Sequence, residues 1–174
     1  MYLRNNYFQD FYNRAIEKVE DPFESFIYNW LAMIIGLTEL VASNYRVPPR
    51  MKGDRDLIDF YLQKCDYDLA NSVLKVELAD SRTFLANRRG KNFGHAIVDY
   101  SGVNQGGVLS ECWKGNTKLE PEEQLKLFFY VGCNIRNNLF HGKKSFMDEN
   151  DTELIKHMNR FLSSINSSID NYLH

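Results

Sequence analysis

Apolar and polar residues alternate along most of the chain with the three- and four-residue spacing of helices that bury one face. The spacing predicts a first helix over about residues 3 to 19 and a second that begins at Pro22, behind an Asp21 cap. The second helix is apolar beyond a single stripe, which indicates a central, buried position. The apolar residues that carry the two patterns are Leu3, Tyr7, Phe8, Phe11, Ala15, Ile16 and Val19, then Phe23, Phe26, Ile27, Trp30, Leu31, Ile34, Leu37 and Val41.

The next segment regains helical spacing after a break. Pro48 and Pro49 end the second helix, because proline lacks a backbone donor and disfavours helical geometry in the residue before it. Apolar residues then recur in helical steps from Leu57 to about Phe84. This spacing predicts either one helix or two helices that break near Asp66.

Glycines interrupt the following stretch, residues 87 to 119, so often that no period survives. We expect a long irregular connection there, with a short helix or strand piece at residues 96 to 100. Helical signals return at Pro121, which precedes two acids, and again at a capping pattern over residues 150 to 153. The whole chain predicts an all-α, single-domain bundle of about five or six helices.

Composition adds two limits to this picture. With 174 residues and 44% hydrophobic content, the chain is long and apolar enough to bury a sizeable core in one domain. The aromatic share of 14% argues against disorder. The formal net charge of −2 provides no overall basic field. Any nucleic-acid site therefore has to be local.

The cysteines and the longest apolar run bear on the location of the protein. Cys65, Cys112 and Cys133 are odd in number and lack the paired spacing of a zinc site or a disulfide framework. Uninterrupted apolar sequence extends only from Trp30 to Ile35, well short of the roughly 20 residues that cross a bilayer. The first six residues lack the layout of a signal peptide. We therefore expect a cytoplasmic protein that needs no membrane, metal or cofactor.

The most concentrated chemistry lies near the end of the helix that opens at Pro121. At about 100° per residue, the predicted core-facing side consists of apolar residues around Gly132. Arg136 falls inside this sector, where an unpaired charge is costly. It therefore needs a charged partner, an open cleft or a subunit interface. The other members of the sector are Leu125, Phe128, Phe129, Cys133, Ile135, Leu139 and Phe140.

A polar ridge follows another side of the same helix. Asn137 and His141 are close enough along it to hydrogen-bond. Gly142 is a natural helix stop and leaves His141 in the last turn, where the negative end of the helix dipole favours a protonated imidazole. Arg136 lies about 140° around the helix from His141, so the two side chains flank a cleft. The ridge comprises Tyr130, Asn134, Asn137 and His141, and it is followed by Lys143 and Lys144.

Taken alone, each of these residues has an ordinary structural role. A histidine at a helix end most often caps the helix or faces solvent, and an arginine on an apolar face most often completes a buried ion pair. Within nine residues, however, this stretch combines an arginine, two asparagines, a histidine and paired lysines. Together such groups can bind a phosphate, orient it and move a proton, which indicates an anion or RNA site.

The same residues resemble the signature of the HEPN superfamily, all-helical domains named for nucleotide binding in higher eukaryotes and prokaryotes. That signature is an arginine, an adjacent polar residue, and a histidine after four to six intervening positions, near the end of a late helix. Arg136, Asn137 and His141 match it with four intervening residues. The resemblance is sharp over about residues 121 to 165 and is limited to helical character elsewhere.

The resemblance implies metal-independent RNA cleavage by a homodimer whose two motifs meet across the interface, with the RNA 2′-hydroxyl attacking the adjacent phosphate. His141 would transfer a proton or position the hydroxyl, Arg136 would stabilise charge on the phosphorane, and Asn137 would orient one of them. A role as a toxin or as an anti-phage or stress effector, with an antitoxin or another defence-system partner, is implied in the same way. Substrate binding is expected from Asn134, Lys143 and Lys144.

One departure and two alternatives limit what the resemblance implies. Some HEPN toxins carry a tyrosine two residues after the histidine, which a partner enzyme modifies by nucleotidyl transfer; here Lys143 occupies that place. Two other functions stay open. One is a non-catalytic HEPN-like module that binds RNA, nucleotide or protein through the same cleft. The other is a helical assembly domain in which the motif fills a polar, buried interface.

Overall fold

The computed structural model describes residues 7–45, 53–64, 69–87, 105–140 and 149–174, and all regular structure within these ranges is helical. The predicted all-α class is therefore confirmed. These ranges hold seven α-helices, more than the five or six predicted, and two 3-10 helices, Ala70–Val73 and Val76–Leu78. The α-helices are α1 (Tyr7–Glu17), α2 (Pro22–Asn44), α3 (Asp54–Lys64), α4 (Ala79–Asn87), α5 (Gln105–Trp113), α6 (Pro121–Phe140) and α7 (Glu149–Leu173).

Helix α2 is the central element, and its start is the one that the sequence predicts. Asp21 Oδ1 accepts hydrogen bonds from the backbone N–H groups of Phe23 and Glu24, at 3.1 and 3.0 Å, which satisfies two donors that have no partner within the helix. The helix packs against α1 and α7. Its length and apolar composition would suffice to cross a membrane, but 56% of its most apolar window is buried within the fold, as expected of a core helix.

Helix α7 forms the other long wall of the core. Its apolar positions follow the predicted period, and all of them are fully buried. The helix already includes residue 150, so it extends further than the predicted capping pattern at residues 150 to 153. The buried face of α7 comprises Leu154, Ile155, Met158, Phe161, Leu162, Ile165 and Ile169.

The predicted irregular connection contains a helix. Helix α5 lies inside residues 87 to 119, and tertiary contacts hold it despite two glycines in its first turn. Its Leu109 is fully buried, and Ser110 Oγ donates to the carbonyl of Ala86 at 2.6 Å. The Trp113 ring stacks on Phe161 of α7, with centroids 5.5 Å apart. Residues 96 to 100, where a short piece is predicted, lie outside the described residues.

The helical spacing from residue 57 to 84 corresponds to several elements rather than one. Helix α3 ends at Lys64, both 3-10 helices follow it, and α4 begins at Ala79. Arg82 of α4 is partly buried and donates to the carbonyls of Val73 and Lys75, both at 2.9 Å. Residues 65–68, where the sequence suggests a break, lie outside the described part of the chain.

Candidate functional site

The described residues of the predicted cluster lie toward the surface end of a helix whose middle is fixed in the core. Pro121 begins α6, and the backbone N–H of Glu120 donates to Glu123 Oε2 at 3.1 Å, as in a capping box. The helix is buried from Phe128 to Cys133, while its last residue, Phe140, is 65% exposed. Phe140 is predicted on the core-facing side, but the described helix ends there and its ring emerges from the fold.

Arg136 is paired with a carboxylate from another helix. Its Nη2 donates to Asp54 Oδ2 at the start of α3, and the two side chains are 28% and 25% exposed. The same oxygen accepts a hydrogen bond from the Trp30 indole N–H of α2 at 2.9 Å. The sequence analysis requires a charged partner, an open cleft or a subunit interface for Arg136, and the structure shows a charged partner. Pairing and hydrogen bonding offset the cost of holding both charges partly out of water.

A glycine allows the indole to lie against α6. A Cβ atom added at Gly132 would meet the Trp30 ring at 2.6 Å, closer than side chains approach in folded proteins. Trp30 is itself buried, so its ring has no free space into which to move. Gly132 therefore fixes the distance between α2 and α6, and through Trp30 it supports the carboxylate that holds Arg136.

The structure brings Arg136 and Asn137 together. The Arg136 guanidinium donates through Nη1 to Asn137 Oδ1 at 2.8 Å, and its Cζ lies 5.9 Å from the centre of the Phe140 ring. Asn137 is exposed, so this bond keeps an amide beside the cation at the protein surface. The orientation of the guanidinium is thus fixed by Asp54 of α3 and Asn137 of α6.

The remaining predicted site residues divide into two groups. Asn134 is half-buried one turn before Asn137, and among the described residues it hydrogen-bonds to neither Arg136 nor Asn137. His141, Lys143 and Lys144 lie outside the described residues.

The residues of the predicted polar ridge are not all exposed, because the side chain of Tyr130 points toward α3. Tyr130 is buried, and its hydroxyl donates to Asp59 Oδ1. The Arg55 guanidinium lies over the Tyr130 ring at 4.5 Å, and Lys126 Nζ lies 5.7 Å from the same ring. The ridge residue Tyr130 thus belongs to the packing of α3 on α6 and holds no position in the surface cluster.

Two ionisable side chains of α6 near α3, Tyr130 and Cys133, have raised pKa values. Burial, followed by the hydrogen bond to Asp59, raises the pKa of Tyr130 to about 12. Burial, followed by the nearby Asp54 carboxylate, raises the pKa of the Cys133 thiol to about 12. A thiol with so high a pKa is a poor nucleophile, which makes Cys133 a packing residue.

We expect the free energy of unfolding to fall as pH rises from about 9 toward about 12. The folded protein keeps the Tyr130 and Cys133 protons at pH values where the unfolded chain has released them. Their contribution is therefore complete below the unfolded pKa values and is lost as pH rises through the folded ones. Denaturant titrations at a series of pH values measure it. Tyr130→Phe should flatten the decline, while Tyr7→Phe on exposed α1 should not; equal slopes for both would contradict the expectation.

Asp54→Asn should lower the free energy of unfolding by about 1–2 kcal/mol, between the values typical of exposed and of buried ion pairs. Asparagine keeps the size of the side chain but removes the charge that faces Arg136. Asp80→Asn is a matched control, because Asp80 is an exposed acid in the first turn of α4 and tests the helix-dipole contribution. Equal losses for the two variants in urea unfolding would show that the ion pair adds nothing.

The sequence analysis missed the α3 and α2 residues of the site. Asp54 lies 82 positions from Arg136 along the chain, and an acid after a glycine at a helix start signals only a cap. Trp30 reads as one apolar residue among many in a core helix. Within the described ranges, no three histidine, cysteine or acidic side chains lie close enough to hold a metal ion.

Comparison of the chain with protein-family models, with curated proteins and with solved structures finds no match. The residues of the site and their geometry are therefore what bears on function.

Proposed function

We propose that this protein is a metal-independent endoribonuclease of the HEPN type, which cleaves RNA at a site completed by a second copy of the chain. Arg136, Asn137 and His141 are its catalytic residues, and Asn134, Lys143 and Lys144 bind the substrate. In the reaction the RNA 2′-hydroxyl loses its proton and attacks the adjacent phosphate while the P–O5′ bond breaks. The leaving 5′-oxygen takes up a proton, so the products carry a 2′,3′-cyclic phosphate and a 5′-hydroxyl. A role as a toxin or as an anti-phage or stress effector, with an antitoxin or another defence partner, follows from the resemblance alone. The cytoplasmic location follows from the cysteine and hydropathy patterns.

The observation that carries the proposal is the bonded pair of Arg136 and Asn137 at the surface end of α6. An arginine whose direction is fixed before substrate arrives stabilises developing charge without reorganising during the reaction. The amide of Asn137 sits where it can orient the guanidinium, one of the two roles that the resemblance implies for it. His141 follows the last described residue of the helix by one position.

The Asp54 contact leaves Arg136 able to bind a phosphate. A guanidinium has five N–H donors, and the described contacts use one on Nη2 for Asp54 and one on Nη1 for Asn137. Among the described residues no group accepts from the other donors, which can therefore bind a phosphate oxygen. The Asp54 carboxylate orients the guanidinium, but it also lowers the positive electrostatic potential that attracts RNA. Lys143 and Lys144 would restore that positive potential.

The exposed ring of Phe140 supports a site shared by two copies. It lies at the end of α6 beside Arg136, and aromatic residues and arginine are both enriched in the cores of protein interfaces. A second copy packed on this end of α6 would cover the ring and bring two motifs within reach of one phosphate.

Incubating the purified protein with structured and single-stranded RNAs in EDTA tests the proposal. Wild type should cleave and leave 2′,3′-cyclic phosphate ends, while His141→Ala should not, because the proton transfer to or from the hydroxyl is lost. If both proteins are inert on every substrate, the nuclease proposal is wrong. The products' ends separate this activity from a contaminating enzyme with another mechanism.

The ion pair also favours a second candidate function, a non-catalytic module that binds RNA or a protein partner at the same place. A cation already neutralised by Asp54 resembles a structural contact as much as a catalytic one. This function predicts that RNA is retained without turnover. Arg136→Ala would then weaken binding in a filter or gel-shift measurement, with no cleavage product from either protein.

A further inference from the structure

A cavity of about 770 Å³ lies between α1, the start of α2, the second 3-10 helix and α7. Its floor is the polar face of α7, which an amphipathic helix normally turns to solvent. Here neighbouring elements rise on both sides and convert that face into the floor of a groove, which we call the α7 groove. The floor residues recur at helical spacing and comprise Lys156, Asn159, Arg160, Ser163, Ser164 and Ser167.

The two walls of the α7 groove differ in chemistry. The α1 wall is apolar and includes Tyr12, Ile16 and Val19, of which Ile16 and Val19 are 56% and 67% exposed. The opposite wall is polar and includes Lys75 and Glu77. An open groove with one apolar and one polar wall suits a molecule that has an apolar part and a polar part.

Positive charge exceeds negative charge in the lining. Lys75, Lys156 and Arg160 line the groove, against the single carboxylate of Glu77. Lys156 pairs with Glu153 at 2.7 Å, and Arg160 Nη2 donates to the backbone carbonyl of Glu77 at 2.6 Å. The carbonyl bond positions the guanidinium without cancelling its charge. Lys75 and Arg160 are therefore the groups best placed to receive an anion.

Hydroxyl and amide groups complete the polar part of the lining. Ser163 and Ser167 are floor residues, and the buried Ser25 and Asn29 of α2 also line the groove. Asn159 Nδ2 donates to the Pro22 carbonyl at 2.8 Å. Its Oδ1 is buried and accepts no hydrogen bond from the described protein groups.

We propose that the α7 groove binds a small phosphomonoester that carries an apolar group. Arginine, lysine and serine hydroxyls together are typical ligands of a phosphate, which Arg160, Lys75 and the floor serines would hold. The apolar part of the molecule would lie on the α1 wall. The inference is independent of RNA cleavage, because none of the lining residues belongs to the α6 site.

Isothermal titration of the full chain with phenyl phosphate, inorganic phosphate and benzoate tests the ligand class. Phenyl phosphate should bind at least about tenfold more tightly than either of the others, since only it engages both walls with a doubly charged group. Equal affinity for benzoate would overturn the phosphate assignment. Absence of phenyl phosphate binding would overturn the site, unless vesicles of phosphatidic acid bind with the same dependence on the groove, which would identify a lipid headgroup as the source.

Two double variants locate the site. Lys75→Gln with Arg160→Gln should weaken phenyl phosphate binding at least about tenfold, through loss of two charge-assisted contacts. The matched control is Lys64→Gln with Lys114→Gln, which removes the same charge from exposed positions outside the groove and should change nothing. Equal effects of the two pairs would overturn the proposal.

A third double variant tests the apolar wall. Ile16→Ser with Val19→Ser should weaken phenyl phosphate and leave inorganic phosphate unchanged, because both side chains are exposed and only the aromatic group touches them. Equal loss for both ligands would overturn the two-sided binding mode. The His141→Ala protein should bind phenyl phosphate as wild type does, so failure of the nuclease proposal and failure of this one are distinguishable.

Discussion

Replacing Arg136 by alanine is expected to slow the proposed RNA cleavage by about 10²- to 10³-fold, the usual cost of losing one fixed donor that stabilises developing charge. Arg136→Lys should recover only part of the rate. Lysine keeps the charge but lacks the planar fork that reaches Asp54, Asn137 and a phosphate at once. Single-turnover cleavage of a short labelled RNA measures the chemical step directly. The matched control is Arg14→Ala. Arg14 also lies beside an aromatic ring, that of Tyr28, but it belongs to α1, so its replacement should leave the cleavage rate unchanged.

A stability measurement separates chemistry from folding in this experiment. Arg136→Ala leaves the Asp54 carboxylate partly buried without its cation, which lowers stability for a reason unrelated to RNA. Combining it with Asp54→Asn removes the uncompensated charge and should restore much of the lost stability. Cleavage should not return with it. A stable double variant that cleaves at the wild-type rate would exclude a catalytic role for the guanidinium.

Phe161→Ala should lower the free energy of unfolding by roughly 3–5 kcal/mol, the range for removing a fully buried aromatic ring. The Phe161 ring, on α7, stacks on Trp113 of α5 with centroids 5.5 Å apart and packs at a tilt against Phe128 of α6 with centroids 4.9 Å apart. Its loss opens a cavity where three helices meet. For a chain of this size the melting temperature should fall by about 6–20 °C in a thermal unfolding scan.

The control for this substitution is Tyr7→Ala, which also removes an aromatic ring but from a position that is mostly exposed on α1. It should change stability by no more than about 0.5 kcal/mol. If the two substitutions cost the same, the three-ring contact is not what joins α5 to the core. The helix inside the glycine-rich stretch would then need another explanation.

Sequence patterns predict most of the long elements because the physics there is local. Asp21 beside Pro22 defines the start of α2, and the apolar period of α7 defines its buried face. The α5 helix could not be predicted, since its glycines weaken local helical preference and contacts from α4 and α7 compensate. Arg136 and Asn137 could be selected from their spacing and residue types. The orientation of Arg136 could not be predicted, because its partner Asp54 lies 82 positions away along the chain, beyond the reach of any helical period.

The same limit applies to Tyr130. Its position on a helical wheel places it with Asn134 and Asn137, and only the facing residues of α3 determine that it turns inward. A helical period predicts which residues share a side. It does not predict which residues on that side become buried against a neighbouring helix. Here Asp59 and Arg55 of α3 contact Tyr130 and bury it.

The link from Gly132 through Trp30 to Asp54 sets the smallest unit that can be transplanted. Helix α6 inserted alone into a foreign bundle would carry Arg136 without the carboxylate that aims it. Adding α3 would supply Asp54 but not the indole that orients its oxygen. A graft that keeps the orientation of Arg136 therefore needs α2, α3 and α6 together, with Gly132 retained so that α2 and α6 keep their separation.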